Sequence, residues 1–322
     1  MPGGVKRALK PWSSCVGRRT VRSWPLAAGR GLDEEETFPV TLSDFLTHVL
    51  SAQTARARAA VKGNAGLRSP RDLGEGEVLS RYQDYRKTFR SSEVPVPAAV
   101  LGDRIVARWA RDHRVSVEVR SAADIATVVA ASIPLSRVTV FADALSESEL
   151  RAATALGFGH IVAGTVQDVE VLRSVVVQQQ DVIIRMCDTS VKMRAVAGAG
   201  GFRFDSFESD AVMRAVIGHD RLNLVGLHCE VGGGGDDFIS YPAAIGQMIA
   251  EMTQIRRNHG VLLTRLGLGS GRVISDHVWA AELRRLATDI ELSLDDACGT
   301  LRFPRPLVVL STTVAIGGRS AA

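Results

Sequence analysis

The sequence predicts an α/β chain folded as a (β/α)8 barrel, and three observations carry that expectation. Short apolar, β-branched runs begin at residue 78; amphipathic stretches separate them; and the alternation repeats through eight strands over about 230 of the 322 residues. Strict strand–helix alternation implies parallel pairing with right-handed crossovers, and eight such units match a closed TIM barrel. A doubly wound open sheet is the rival, because counting repeats does not prove closure. In either fold ligands gather at the carboxyl ends of the strands.

The expected strands, in order, are "VPVPAAV" (94–100), "VSVEV" (115–119), "RVTVFA" (137–142), "HIVAG" (160–164), "DVIIRM" (181–186), "LNLVGLHC" (222–229), "LLTRLGLG" (262–269) and "PLVVLS" (306–311). Helical periodicity fills the intervals in "DRIVARWARDH", "SAADIATVVAAS", "SESELRAATALG", "VQDVEVLRSVVVQ", "SDAVMRAVIG" and "YPAAIGQMIAEMTQIRRNHG". Ser146 followed by Glu149 is a capping-box pattern, and Gly157 and Gly260 stand where helices end in left-handed glycines. Residues 1–77 form a separate, irregular extension with one expected helix in "TLSDFLTHVLSAQTARARAAV", leaving 78–322 for the barrel.

With 46% apolar and 23% charged residues the chain reads as a globular protein. No apolar run is long enough to span a membrane, and the Arg-rich start lacks a secretory apolar core, so the expected location is cytoplasmic. Cys15, Cys187, Cys229 and Cys298 have neither disulfide-framework nor zinc spacing, and no metal site is expected. Seven basic residues and no acid in positions 1–30 are read as a solvated tail, and no nucleic-acid partner is expected. Lysine is scarce: Lys6, Lys10, Lys62, Lys87 and Lys192 are the whole set.

The stretch "GLHCEVGGGG" (226–235) brings a histidine, a thiol and a carboxylate to a strand end before a glycine-rich turn. Alternate strand residues share a face, so His228 and Glu230 are expected to point together and Cys229 away. Such a pair, with Cys229 or Asp143 as a further candidate, can do acid–base work or help bind a metal.

Collinear segments then carry a resemblance over about three quarters of the chain: "RYQDYRKTFRSSEVPVPAAVLGDRIVARWA", "VSVEVRSAADIATVVAASIPLSRVTVFADALSESELRAATALGFGHIVAGTVQDVEVL", "LNLVGLHCEVGG" and "GVLLTRLGLGSG". The chain resembles the barrel domain of pyridoxal phosphate (PLP)-dependent, fold-type III (alanine racemase-like) decarboxylases, above all the diaminopimelate decarboxylases of lysine biosynthesis. The resemblance implies a PLP-binding (β/α)8 barrel followed by a β-domain, a dimeric active site, and lyase activity releasing carbon dioxide from meso-diaminopimelate. It further implies a Schiff-base lysine, a histidine stacked on the cofactor ring, glycine turns at the phosphate and a glutamate facing the pyridine nitrogen.

At those positions this sequence differs. The lysine position falls on Ala99, or Ala98 if the register slips. The His-x-His-x-Gly-Ser pattern reads His228, Cys229, Glu230, Val231, Gly232, Gly233, so a carboxylate replaces the stacking ring and a glycine the phosphate serine. The glycine loop retains Gly267, Gly269 and Gly271, which with Gly232 and Gly233 form the expected residual anion site. Leu310 stands for the glutamate, and Phe141 to Ser146 replace a polar third-strand pattern. The chain ends soon after the eighth strand, so the expectation is a barrel without the C-terminal β-domain.

The reading is a decarboxylase-like pseudoenzyme that binds a ligand, such as an amino acid or phosphate-bearing molecule, or a partner. Barrel surface that the β-domain covers in the family would then support homo- or hetero-oligomers. Two alternatives stand beside it. One is a working PLP decarboxylase or PLP carrier of altered design, using Lys192. The other is different chemistry on the same barrel through His228 and Glu230.

Overall fold

The structure is a computed structural model describing residues 75–187, 200–231, 239–269 and 278–316. The expected helix in 41–61, Lys192, Gly232, Gly233 and Gly271 lie outside the described residues. Helix α1 (Glu75–Thr88) opens the described chain. Strand β1 (Val96–Pro97) is followed by α2 (Arg104–Asp112), β2 (Val117–Val119) by α3 (Ala122–Ala130), and β3 (Val138–Phe141) by α4 (Glu147–Ala155). Then come β4 (His160–Ala163), α5 (Val166–Val175), β5 (Gln180–Cys187), the two-residue β6 (Phe202–Arg203) and α6 (Phe207–Ile217). Finally β7 (Leu222–Cys229), α7 (Tyr241–His259), β8 (Arg265–Leu268), α8 (Trp279–Leu301), β9 (Leu307–Leu310) and α9 (Thr313–Ile316) complete the order.

Neighbouring strands pair in parallel in the order β1-β2-β3-β4-β5-β7-β8-β9, with β6 beside the end of β5. Glu93, just before β1, closes the ring against β9. Its N–H donates to the Val308 carbonyl at 2.8 Å, and its carbonyl accepts from the Leu310 N–H at 2.9 Å. That bridge decides for the barrel over the open sheet, because an open sheet leaves both edges unpaired.

Alternation sorts the strand residues. Val117, Val119, Val138, Val140, Ile161, Ile184, Leu266 and Leu268 join the main core. Their inward neighbours Phe141, Val162 and Ile183 form a second, smaller apolar cluster with Val225. A bulge between Val182 and Ile183 in the β5–β7 pairing resets the register so that Arg185 lies beside His228.

Local sequence accounts for the helix ends. Ser121, Ser146, Thr165, Ser206 and Ser240 each accept from a backbone N–H of the first turn, and Ser146–Glu149 forms the expected capping box. Gly260 ends α7 at φ 71°.

Two departures from expectation have physical causes. The run 94–100 is a strand only at Val96–Pro97. Proline lacks a ladder N–H, and Pro97 instead leads into a 3-10 turn over Ala98–Gly102. Helix α8, 23 residues long, has Val278 at its N-cap position with no capping side chain, so it lacks the usual start signal.

Helix α1 stands between the first and last helices of the ring. Tyr82 meets Trp109 of α2 edge-on at 5.4 Å, and Tyr85 meets Trp279 of α8 edge-on at 5.6 Å. The Trp279 indole N–H donates to Asp84 at 3.2 Å.

Candidate functional site

The carboxyl ends of the strands converge on a lattice of charged groups. Glu118 lies in β2, with Arg120 two residues on; Asp143 follows β3; Arg185 lies two residues before the end of β5; His228 is the penultimate residue of β7 and Glu230 follows that strand. Arg120 donates to Glu118 Oε1 at 2.6 Å and 3.0 Å and to Glu230 Oε1 at 2.9 Å. Arg185 pairs with Asp143 and reaches Glu230 Oε1 at 3.4 Å. His228 Nε2 stands 3.3 Å from the same Glu230 oxygen. From the far side Ser311 and Thr313, after β9, donate to Glu118 Oε2 at 2.5 Å and 3.1 Å.

The lattice is largely out of solvent: the Glu230 side chain is 16% exposed, that of Arg185 9% and that of Glu118 3%. At such sites a charge needs its partners. Burial pushes the Glu230 carboxyl up, but Arg120, His228 and Arg185 outweigh it and hold the group well below the usual carboxylate range. Asp143 goes the other way, since burial raises its carboxyl despite Arg185 and Arg120. The Arg120 guanidinium lies 3.9 Å from the Phe141 ring centroid, and Phe141 meets His228 edge-on at 5.0 Å.

His228 and Glu230 therefore share a face, while Cys229 turns into the main core, 1% exposed. Gly267 and Gly269 make room for that pair. A Cβ on Gly267 would stand 2.5 Å from His228 Nδ1, and one on Gly269 would stand 2.6 Å from the Glu230 Cα. Both glycines thus clear space beside β7.

Ala98 is buried and Ala99 exposed in the 3-10 turn that ends β1. Among the described residues the one lysine, Lys87, is exposed on α1. Leu310 packs in the helix-facing core at 1% exposure, and the next residue, Ser311, is the one that reaches Glu118. Among the described residues no group of three or more His, Cys, Asp or Glu side chains could hold a metal ion. Nor is any described helix long and apolar enough to cross a membrane.

Glu118, Arg120 and Arg185 were not singled out from the sequence, although a signal existed. Each is a charged residue within or just past an apolar strand, which places it inside the barrel or at its rim.

Fold and rim together define a (β/α)8 barrel of the kind that keeps its chemistry at the carboxyl ends of its strands. Residues 75–310 match the family "Pyridoxal-dependent decarboxylase, pyridoxal binding domain", and the chain belongs to that family. It is 27% identical over 260 residues to a diaminopimelate decarboxylase of Actinosynnema pretiosum subsp. auranticum, covering 77% of this chain and 58% of the relative. It is 25% identical over 261 residues to the Corynebacterium efficiens enzyme of that name, covering 77% and 57%.

Among solved structures, diaminopimelate decarboxylase from M. jannaschii in co-complex with L-lysine aligns with TM-score 0.60 at 12% identity, over 74% of this chain and 59% of that one. Lysine/ornithine decarboxylase from Vibrio vulnificus, complexed with putrescine, aligns with TM-score 0.58 at 14% identity, over 84% and 67%. The chain thus spans somewhat under three fifths of the curated relatives it matches, and it is diaminopimelate decarboxylase-like. Membership implies pyridoxal phosphate as the family's cofactor.

Proposed function

We propose that this barrel is a catalytically degenerate relative of the diaminopimelate decarboxylases, acting by binding a ligand or a partner. The carrying observation is the Glu230 carboxylate, held by Arg120 at 2.9 Å, Arg185 at 3.4 Å and His228 at 3.3 Å. It stands where the family pattern has the histidine that stacks on the cofactor ring.

The described rim does not fit PLP as the family holds it. It offers alanines where the amine belongs, an outward leucine where the pyridine acid belongs, and a carboxylate where the ring belongs. A PLP ring entering there must part Glu230 from its guanidiniums, and breaking a buried ion pair costs roughly 3–5 kcal/mol. The cofactor would also bring its own negative charge beside Glu118, Asp143 and Glu230, against two arginines. No reaction step through the cofactor follows from such a rim. The chain's own residues are arranged to hold one another.

The test is to incubate the full chain with PLP, reduce with borohydride, map pyridoxyl-lysine by peptide mass spectrometry, and measure carbon dioxide release from meso-diaminopimelate. The expected result is no specific lysine label and no turnover. A labelled Lys192 peptide accompanied by turnover would overturn the proposal in favour of an enzyme of altered design.

A further inference from the structure

The opposite mouth of the barrel carries a second charged layer, and here the charges are not matched. A pocket of about 350 Å3 opens among the amino-terminal ends of the strands. Its walls include Arg86 of α1, Arg114 just before β2, Arg137 just before β3, His160 at the start of β4 and Arg265 at the start of β8. The one acidic side chain in the lining, Glu93, is paired with Arg265. Asp181, the register partner of His160 on β5, accepts from Asn223 at 2.7 Å.

Two guanidinium atoms in this lining, Arg137 Nη1 and Arg265 Nε, are buried without a hydrogen-bond partner among the described residues. A buried donor left unmatched destabilises the fold that holds it. Like charges add to this. Burial and the neighbouring Arg114 push the Arg137 guanidinium down, and burial and Arg265 push the His160 imidazole down against Asp181 and Glu93. The protein therefore holds donors together at a cost that an anion would remove.

The geometry points to a binding site for a small phosphate-bearing polyanion at the amino-terminal mouth, with Arg114 and Arg137 as its principal ligands. Guanidiniums arriving from four separate elements suit a tetrahedral oxyanion, whose oxygens accept hydrogen bonds from several directions, better than a planar carboxylate. The volume suits a molecule of pyrophosphate size and excludes a folded partner. The site lies at the end of the barrel remote from the carboxyl-end rim, so it stands or falls independently of whether that rim is catalytic.

The probe is sodium pyrophosphate, titrated calorimetrically into the full chain at low salt with thermal unfolding followed in parallel and citrate as the carboxylate comparison. Wild type and Lys87→Gln, an exposed change on α1, should bind saturably and weaken as salt is added. Arg114→Gln and Arg137→Gln should each lose at least about tenfold in affinity, the loss expected for one charge-assisted contact. Without ligand, Arg137→Gln should unfold at the same temperature or higher, since an unmatched buried donor is gone; that separates lost binding from misfolding. Absence of binding by wild type at millimolar pyrophosphate, or full affinity in the double variant, overturns the site. Tighter binding of citrate overturns the phosphate assignment.

Discussion

The two mouths of this barrel handle buried charge in opposite ways. At the carboxyl-end mouth three carboxylates, two guanidiniums and a histidine are interlocked by contacts of 2.6–3.4 Å, apart from the closer Arg185–Asp143 pair. At the amino-end mouth four guanidiniums line a pocket whose single acid is already paired. Between them lies the thin apolar layer of Phe141, Val162 and Ile183. A mouth whose charges satisfy one another has little to offer a ligand, whereas one with buried, unmatched donors is stabilised by whatever matches them. The difference puts the proposed anion site away from the rim where a barrel of this family does its chemistry.

The contrast can be tested most strongly at Glu230. Replacing it (Glu230→Ala) takes one of two carboxylate partners from each of Arg120 and Arg185, leaving Glu118 and Asp143 to hold them, and removes the partner of His228. It should cost about 3 kcal/mol in urea unfolding, the low end for a broken buried ion pair. A cost below that of an ordinary surface change would mean that the carboxyl-end charges are not interlocked. A smaller effect is expected from Gly269→Ala. The new Cβ would stand 2.6 Å from the Glu230 Cα, so β7 and β8 must part, at about 2 kcal/mol. Full stability in that variant would mean that the rim has slack enough to admit another group.

The smallest effect is in acid. Glu230 is depressed in the folded state, so its ion pairs contribute fully above the usual Glu value of 4.5, and that contribution is lost as pH falls below it. Asp143, raised by burial, acts with the opposite sign, gaining stability as it protonates. Stability should therefore fall less steeply in acid for Glu230→Gln than for wild type in unfolding curves between about pH 3 and 7. Parallel acid limbs in the two proteins would place the relevant titration elsewhere.

Much of this was legible from local pattern. The eight barrel strands fall within or against the expected runs, Leu222–Cys229 to the residue, because period-two alternation of Val, Ile and Leu is a local property. The shared face of His228 and Glu230 followed from the same alternation. What local pattern missed were contacts between strands distant in sequence. Arg120 meets Glu230 across 110 residues and Arg185 meets Asp143 across 42. Helix α8 was missed because no capping side chain marks its start, and the first strand was expected too long because Pro97 turns the chain early.

By itself the sequence determined the succession of strands and helices, the family resemblance, and the absence of a lysine at Ala98 or Ala99. Each of these is written in residue order and needs no knowledge of neighbours. Only the tertiary structure decided that the sheet closes through Glu93, that the rim charges pair with one another, and that at the amino end Arg137 Nη1 and Arg265 Nε are left without a hydrogen-bond partner among the described residues. Electrostatic energy depends on distance and burial in space, and a linear order of residues contains neither.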